Sequence, residues 1–179
     1  MHGLLDQFEG MWSGKLRELK ATTHHIQLKP DAKPVYSAPH RAGPHCRMEI
    51  EKQIKKRLDL GVIRPSDAEW SFQVVFVPKP GGHFRFCVAY RRLNERTVKD
   101  VYPIARMDDC LDSLGDATVF STLACNSGYY HIPVAAEDRD KTTFTPHTGL
   151  SRFLLLLFGL VNAPASFQPA IDIILSGLR

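Results

Sequence analysis

Ser71-Phe72-Gln73-Val74-Val75-Phe76-Val77, Pro78-Lys79-Pro80-Gly81-Gly82 and Phe84-Arg85-Phe86-Cys87-Val88-Ala89-Tyr90 follow one another along the chain and decide its fold class. The first run is rich in β-branched and aromatic residues, the second is a turn, and the third alternates and returns, which predicts an antiparallel hairpin. Upstream, His45 to Leu60 repeats Ile50, Ile54 and Leu58 at four-residue spacing with charges on its other faces, a helix that Gly61 can cap. Between residues 21 and 45, Pro30, Pro34, Pro39 and Pro44 predict an extended arm. Before it, Leu4, Leu5, Phe8, Met11 and Trp12 suggest an amphipathic helix broken near Gly10 and Gly14. Downstream, Met107 to Leu114 reads as a short acidic helix with Leu111 and Leu114 inward. Thr118–Leu123, Tyr130–Val134, Thr142–Thr145 and Arg152–Leu157 read as strands. Asn162 is placed to cap a last helix, Ala163 to Leu178, with Pro164 in its first turn. This order predicts an α+β fold, mainly antiparallel, with helices on one face.

The chain has 179 residues, 44% of them hydrophobic and 23% charged, which excludes wholesale disorder and suits one domain or part of a larger one. Its longest apolar run, Phe153 to Val161, is nine residues long, whereas a membrane-spanning helix needs about 20. No basic, apolar leader opens the chain, so an intracellular location and reduced thiols are expected for Cys46, Cys87, Cys110 and Cys125, which lack CxxC spacing. The eight histidines show no HxxxH or HExxH pattern, and no metal is expected on them. Charge is unevenly spread. Residues 1–106 hold 19 Lys or Arg against 11 Asp or Glu, while residues 107–179 hold 4 against 8. A basic part suggests a polyanionic partner, and an acidic part suggests cation chemistry, although such a split also arises by chance.

Several blocks in one consistent order carry a resemblance: Gly61-Val62-Ile63-Arg64-Pro65-Ser66, Phe84 to Asn94, Thr97 to Pro103, Phe120 to Tyr129, Lys141 to Phe144, and Phe158 to Gln168. Over about residues 24–179 the chain is similar to the reverse transcriptase of the pol polyprotein of gypsy-class LTR retrotransposons. The resemblance implies a right-hand polymerase fold. Residues 1–23 correspond to a linker, 24–106 to the fingers and first part of the palm, and 107–179 to a partial palm. It also implies an RNA or DNA template–primer and a deoxynucleoside triphosphate as ligands, with two Mg²⁺ ions that activate the primer hydroxyl and stabilise the departing pyrophosphate.

Such ions require carboxylate oxygens. The family places one Asp just before the Ser-Gly-Tyr block and two in a Tyr-x-Asp-Asp hairpin. Here the first position is Ala124, and no Tyr-x-Asp-Asp lies within the 179 residues. Asp108-Asp109 lies upstream, on the short acidic helix, and is not a substitute. The expectation is therefore a catalytically silent domain with no productively bound metal. Other family positions are retained. Lys79 and Arg85 match the fingers residues that grip the triphosphate. Ser127 and Gly128 match the turn that cradles phosphates, and Tyr129 matches the aromatic under the sugar. Phe158 and Gly159 match the template-side wall of the nucleotide pocket, with Gln168 on the helix that follows. Each has a plainer reading too: a solvated turn lysine, a core aromatic, simple packing.

Three departures stand at motif positions. Ala89 replaces an Asp expected to pair with an arginine such as Arg91. Leu157 replaces a Pro, which leaves the run Leu154 to Leu157 without a gatekeeper. Pro169 falls within the last helix, where it costs ~3 kcal/mol. Without the Asp-Asp hairpin, a sheet edge and an apolar face are expected to lie uncovered. Besides a silent polymerase fragment, the residues suit a non-catalytic nucleic-acid-binding module, a partner subunit of a full-length polymerase, or a relic without function.

Overall fold

The computed structural model describes residues 16–19, 22–78, 84–103, 106–120, 122 and 124–176. Its first helix, α1, spans Pro44–Asp59, with Gly43 at the N-cap and a proline in its first turn. Ile50 and Ile54 are buried and Leu58, in the last turn, is exposed. The helix ends as the sequence predicts. Gly61 has φ 67°, a conformation costly for a residue with a Cβ, and Gly61 N–H and Val62 N–H return to the Leu58 and Arg57 carbonyls.

Five strands form one sheet: β1 (Ile63–Pro65), β2 (Phe72–Pro78), β3 (Phe84–Val88), β4 (Phe144–Thr145) and β5 (Ser151–Phe153), in the order β1-β5-β4-β2-β3. The predicted hairpin is β2–β3, paired from Val74↔Val88 to Pro78↔Phe84. The sheet is antiparallel except where β2 and β4 run parallel. Strands from both sides of residue 106 thus share one sheet. Its packed face carries Phe72, Phe144 and Phe153, all buried. The Phe144 ring lies 5.1 Å from Phe153 and 5.6 Å from Phe86, and Phe72 lies 5.1 Å from Tyr90. Tyr90 donates its hydroxyl to the Thr142 carbonyl at 2.6 Å, and burial pushes its pKa well up.

The arm is extended, as its prolines require. It bridges His24 to Val134 and Leu28 to Thr97, and Ile26 N–H donates to the buried Asp138 at 2.9 Å. Two short helices follow the hairpin, α2 (Arg91–Asn94) and α3 (Met107–Asp112). The last helix, α4, spans Ala163–Leu175 and runs through Pro169. All four cysteines are free thiols. The proposed helix over Leu4–Trp12 lies outside the described residues.

Several expectations are corrected. Leu111 is 59% exposed and Leu114 is also exposed, because no described element packs against α3. The described residues of 118–123 form no strand, and Phe120 is 60% exposed. Gly128–His131 is a 3-10 turn where the sequence predicts a strand. Beyond it Pro133 and Val134 make single bridges, since proline has no N–H for a longer ladder. Thr142 closes a second 3-10 turn, Ala136–Thr142, so β4 keeps only two residues. β5 likewise stops at Phe153, although Leu156 and Leu157 remain buried. Asn162 occupies the N-cap without capping. Its amide donates to the Val98 carbonyl at 2.8 Å and accepts from Asp100 N–H at 3.0 Å, which ties the 98–100 segment to the start of α4. At the far end of α4, Ile173, Ile174 and Leu175 are exposed.

Candidate functional site

Ser127 and Gly128 begin a tight turn. Ser127 has φ 53°, in the left-handed region, and its carbonyl accepts from Tyr130 N–H at 2.8 Å. A Cβ on Gly128 would lie 2.9 Å from Phe167 Cζ and 3.4 Å from Cys125 Cβ, so this approach of turn to helix fits glycine. The turn delivers Tyr129 onto two aromatic neighbours. Its ring centroid is 4.6 Å from Phe158 at 33° and 5.0 Å from Phe167 at 68°. Burial raises the Tyr129 pKa. Phe158 is 70% exposed, so the cluster forms a shelf with one open aromatic face.

The shelf's far side is fixed by Asn94, at the end of α2. Its Nδ2 donates to the Gly159 carbonyl at 2.8 Å, and its Oδ1 accepts from Val161 N–H at 3.0 Å. Gly159 itself has φ 103°, outside the range of ordinary side-chain-bearing residues. Gln168, one residue beyond Phe167, donates to Asp172 at 3.1 Å. Asp172 accepts from the Tyr102 hydroxyl at 3.0 Å, a bond that raises the Tyr102 pKa. Gly128, Tyr129, Phe158 and Phe167 therefore meet in one place, while Gln168 turns to Asp172 and the Ser127 hydroxyl to Asn126. Arg85 stands apart, exposed on β3 opposite Val77, with no hydrogen bond or ion pair to the shelf among the described residues. Lys79 lies outside the described residues.

Asn94 and Phe167 fall within the motif blocks, but nothing in the sequence assigns either a role. A side chain that braces a distant loop leaves no local sequence signal; its position beside the Gly159 turn emerges only in the fold. Replacing Asn94 by Ala removes both brace bonds and is expected to lower stability by ~2 kcal/mol, at about 1 kcal/mol per hydrogen bond. Urea denaturation would measure it, and an unchanged midpoint would contradict the assignment.

No metal site assembles at the shelf among the described residues. Ala124, exposed, offers only a methyl group. Among the described residues, the one group of three or more potential ligands with converging atoms is His25, Glu137 and Asp138, all within 4.8 Å of one another. That group belongs to the arm contact. Asp138 accepts from Ile26 N–H through one oxygen and from the Lys141 ammonium through the other, so a cation is already in place. The donor set of the described residues does not fit a two-metal centre.

Comparison with known proteins agrees with the geometry. The family described as "Reverse transcriptase (RNA-dependent DNA polymerase)" matches residues 77–179. The chain belongs to the reverse transcriptase family. The retrovirus-related Pol polyprotein of transposon opus from Drosophila melanogaster is 41% identical over 182 residues, covering 98% of this chain and 18% of that protein. The corresponding polyprotein of transposon gypsy from the same organism is 36% identical over 151 residues, covering 81% of this chain and 15% of that protein. The chain thus spans under a fifth of either relative. The crystal structure of the CSH mutant of prototype foamy virus protease–reverse transcriptase superposes with a TM-score of 0.87 at 22% identity, over 99% of this chain and 24% of that one. A foamy viral protease–reverse transcriptase in complex with RNA/DNA hybrid gives 0.78 at 20% identity, over 98% and 24%. These superpositions establish the reverse transcriptase fold here, in agreement with the α+β reading of the sequence. Reverse transcriptases use divalent metal ions. In this domain the position expected to supply the first carboxylate is Ala124.

Proposed function

We propose that this reverse transcriptase domain holds an RNA or DNA template–primer and the wall of a nucleotide pocket without transferring nucleotides as written. Residues 24–106 would act as fingers and first palm part, and residues 107–179 as partial palm. One observation carries the proposal: Ala124 introduces a turn that begins at Ser127 and whose next residues, Gly128 and Tyr129, stand against Phe158 and Phe167. An intact aromatic shelf can stack a base or sugar, while a methyl group cannot hold Mg²⁺. Lys79 and Arg85 would attract the triphosphate of an incoming dNTP, and Gln168 would extend the wall along α4. Among the described residues no helix is long and apolar enough to cross a membrane. A location in cytoplasm or nucleus, where retrotransposon nucleic acid resides, follows from this function.

The test combines binding and chemistry. A labelled RNA/DNA primer–template should bind with affinity that falls steeply from about 50 to about 200 mM salt, as phosphate contacts require. Primer extension with Mg²⁺ or Mn²⁺ should be absent. Extended primer would overturn the silent assignment, and salt-independent binding would overturn the nucleic-acid assignment. A second reading, a partner subunit for a full-length polymerase, is favoured by the exposed Leu111, Val119, Phe120 and Ile173. Stable co-elution with an active relative would support it, and separate elution would remove it.

A further inference from the structure

Two separate elements carry the residues proposed to meet a nucleotide. Arg85 lies on β3, and Tyr129 lies in the 3-10 turn Gly128–His131. Among the described residues no hydrogen bond runs directly between these elements. One side chain reaches both: Arg57, in the last turn of α1. On β3, alternation turns Phe84 and Phe86 to one face and the exposed Arg85 to the other. The Arg57 guanidinium carbon lies 4.3 Å from the centroid of the Phe86 ring, a cation–π contact. Its Nη1 donates to the Gln53 carbonyl at 2.9 Å and to Gln53 Oε1 at 3.3 Å. Gln53 Nε2 in turn donates to the Phe84 carbonyl at 3.3 Å and to Glu49 at 2.9 Å. Thus α1 holds β3 at the residues on either side of Arg85.

Arg57 also touches the other element. Its Nε donates to the Tyr130 hydroxyl at 3.4 Å. Tyr130 follows Tyr129, and its N–H closes the turn on the Ser127 carbonyl at 2.8 Å. The other cations of α1 make no such link. Lys52, Lys55 and Lys56 are exposed, and Arg47 donates to the nearby Ala42 carbonyl. A guanidinium suits this place because its face can cover a ring while its edge donates in the plane, which an ammonium cannot do.

We infer that Arg57 is a positioning residue that holds Arg85 and Tyr129 in a fixed relation, so that the triphosphate and the sugar of one nucleotide are met together. This deepens the nucleotide-pocket reading proposed above and rests on it. Arg57 stands on the Phe86 side of β3, opposite Arg85, so it acts through its neighbours and not on the nucleotide. Its contribution is preorganisation: two groups held in place before the ligand arrives lose less freedom on binding it.

The test is a double-mutant cycle on the full chain. The chain is bound to an RNA/DNA primer–template whose primer ends in a dideoxynucleotide, and the complementary dNTP is titrated as its Mg²⁺ complex. Arg85→Gln should weaken dNTP binding about tenfold, the order expected for a charge-assisted bond to phosphate. Arg57→Met, which keeps an apolar stem against Phe86, should cost about as much. The two together should also cost about tenfold, well short of the roughly hundredfold of independent losses. Arg57→Lys keeps the charge and loses the planar fork, so it should resemble Arg57→Met; wild-type binding in it would overturn the assignment. Matched thermal melts check folding. If Arg57→Met melts early, Tyr130→Phe, which removes one hydroxyl, takes its place in the cycle with the same non-additivity expected. Additive losses overturn the inference and leave the pocket standing. A wild type that binds primer–template but no dNTP overturns the inference and the pocket with it. Binding of neither overturns the proposed function as a whole.

Discussion

Phe144→Ala is expected to destabilise the domain by about 3–5 kcal/mol, the usual cost of truncating a buried phenylalanine. Phe144 is fully buried and sits in the two-residue β4, the strand that joins β2 on one side to β5 on the other. Its ring touches both halves of the sheet, at Phe86 and at Phe153. Removing it opens a void that Thr145, the other residue of β4, cannot fill. Domains of this size are held by about 5–15 kcal/mol in all, so the variant should lose about a third or more of a mid-range stability. Urea denaturation followed by circular dichroism would report it. A loss below about 1 kcal/mol would show that the aromatic layer does not carry the sheet. Phe144→Leu, which retains most of the volume, should lose much less.

Acidification should loosen the arm through His24. This side chain is buried, its Nδ1 lies 2.7 Å from the Ser166 hydroxyl, and its backbone bonds to Pro133 and Ala135. Burial lowers its pKa from 6.5 to about 4. The Asp138 and Asp100 carboxylates oppose the shift, and His25 adds to it. The unfolded chain therefore takes up a proton near pH 6.5, while the folded chain takes it up only near pH 4. Between those values the unfolded state binds more protons, so stability is full above pH 6.5 and drains away as the pH falls to 4. At about 1.4 kcal/mol per pH unit the total comes to ~3 kcal/mol. Urea midpoints at about pH 7, 5.5 and 4 would show the trend, and His24→Gln should flatten it over that window. Equal slopes in wild type and variant would assign the acid sensitivity to other groups.

The elements legible in the sequence are those whose determinants are local. The spacing of Ile50 and Ile54 locates α1, the alternation on either side of residues 78–82 locates β2 and β3, and Gly61 ends its helix where a left-handed residue is required. Elements whose limits depend on distant partners are less legible. The apolar residues of 118–120 look like a strand because they are hydrophobic, yet no described strand lies beside them. Leu111 and Leu114 follow a helical pattern but find no surface to cover. At the site, the order of motifs places Tyr129, Phe158 and Gly159 together, as the geometry does. The same motifs do not reveal that Asn162 forgoes its cap to hold residues 98–100. That choice depends on which backbone groups the fold brings within reach.

The parallel pairing of β2 with β4 also bears on how the domain is reached in time. Phe72 pairs with Phe144 seventy-two positions later, whereas Pro78 and Phe84 in the hairpin are six apart. A hairpin closes in about 1–10 μs. The parallel pair must first close a long loop, and chains dominated by such distant pairings fold in milliseconds to seconds. Substitutions in β4 should therefore act mainly on the unfolding rate, and those in the β2–β3 hairpin on the folding rate. The hairpin would then serve as the template on which the rest of the sheet is laid down.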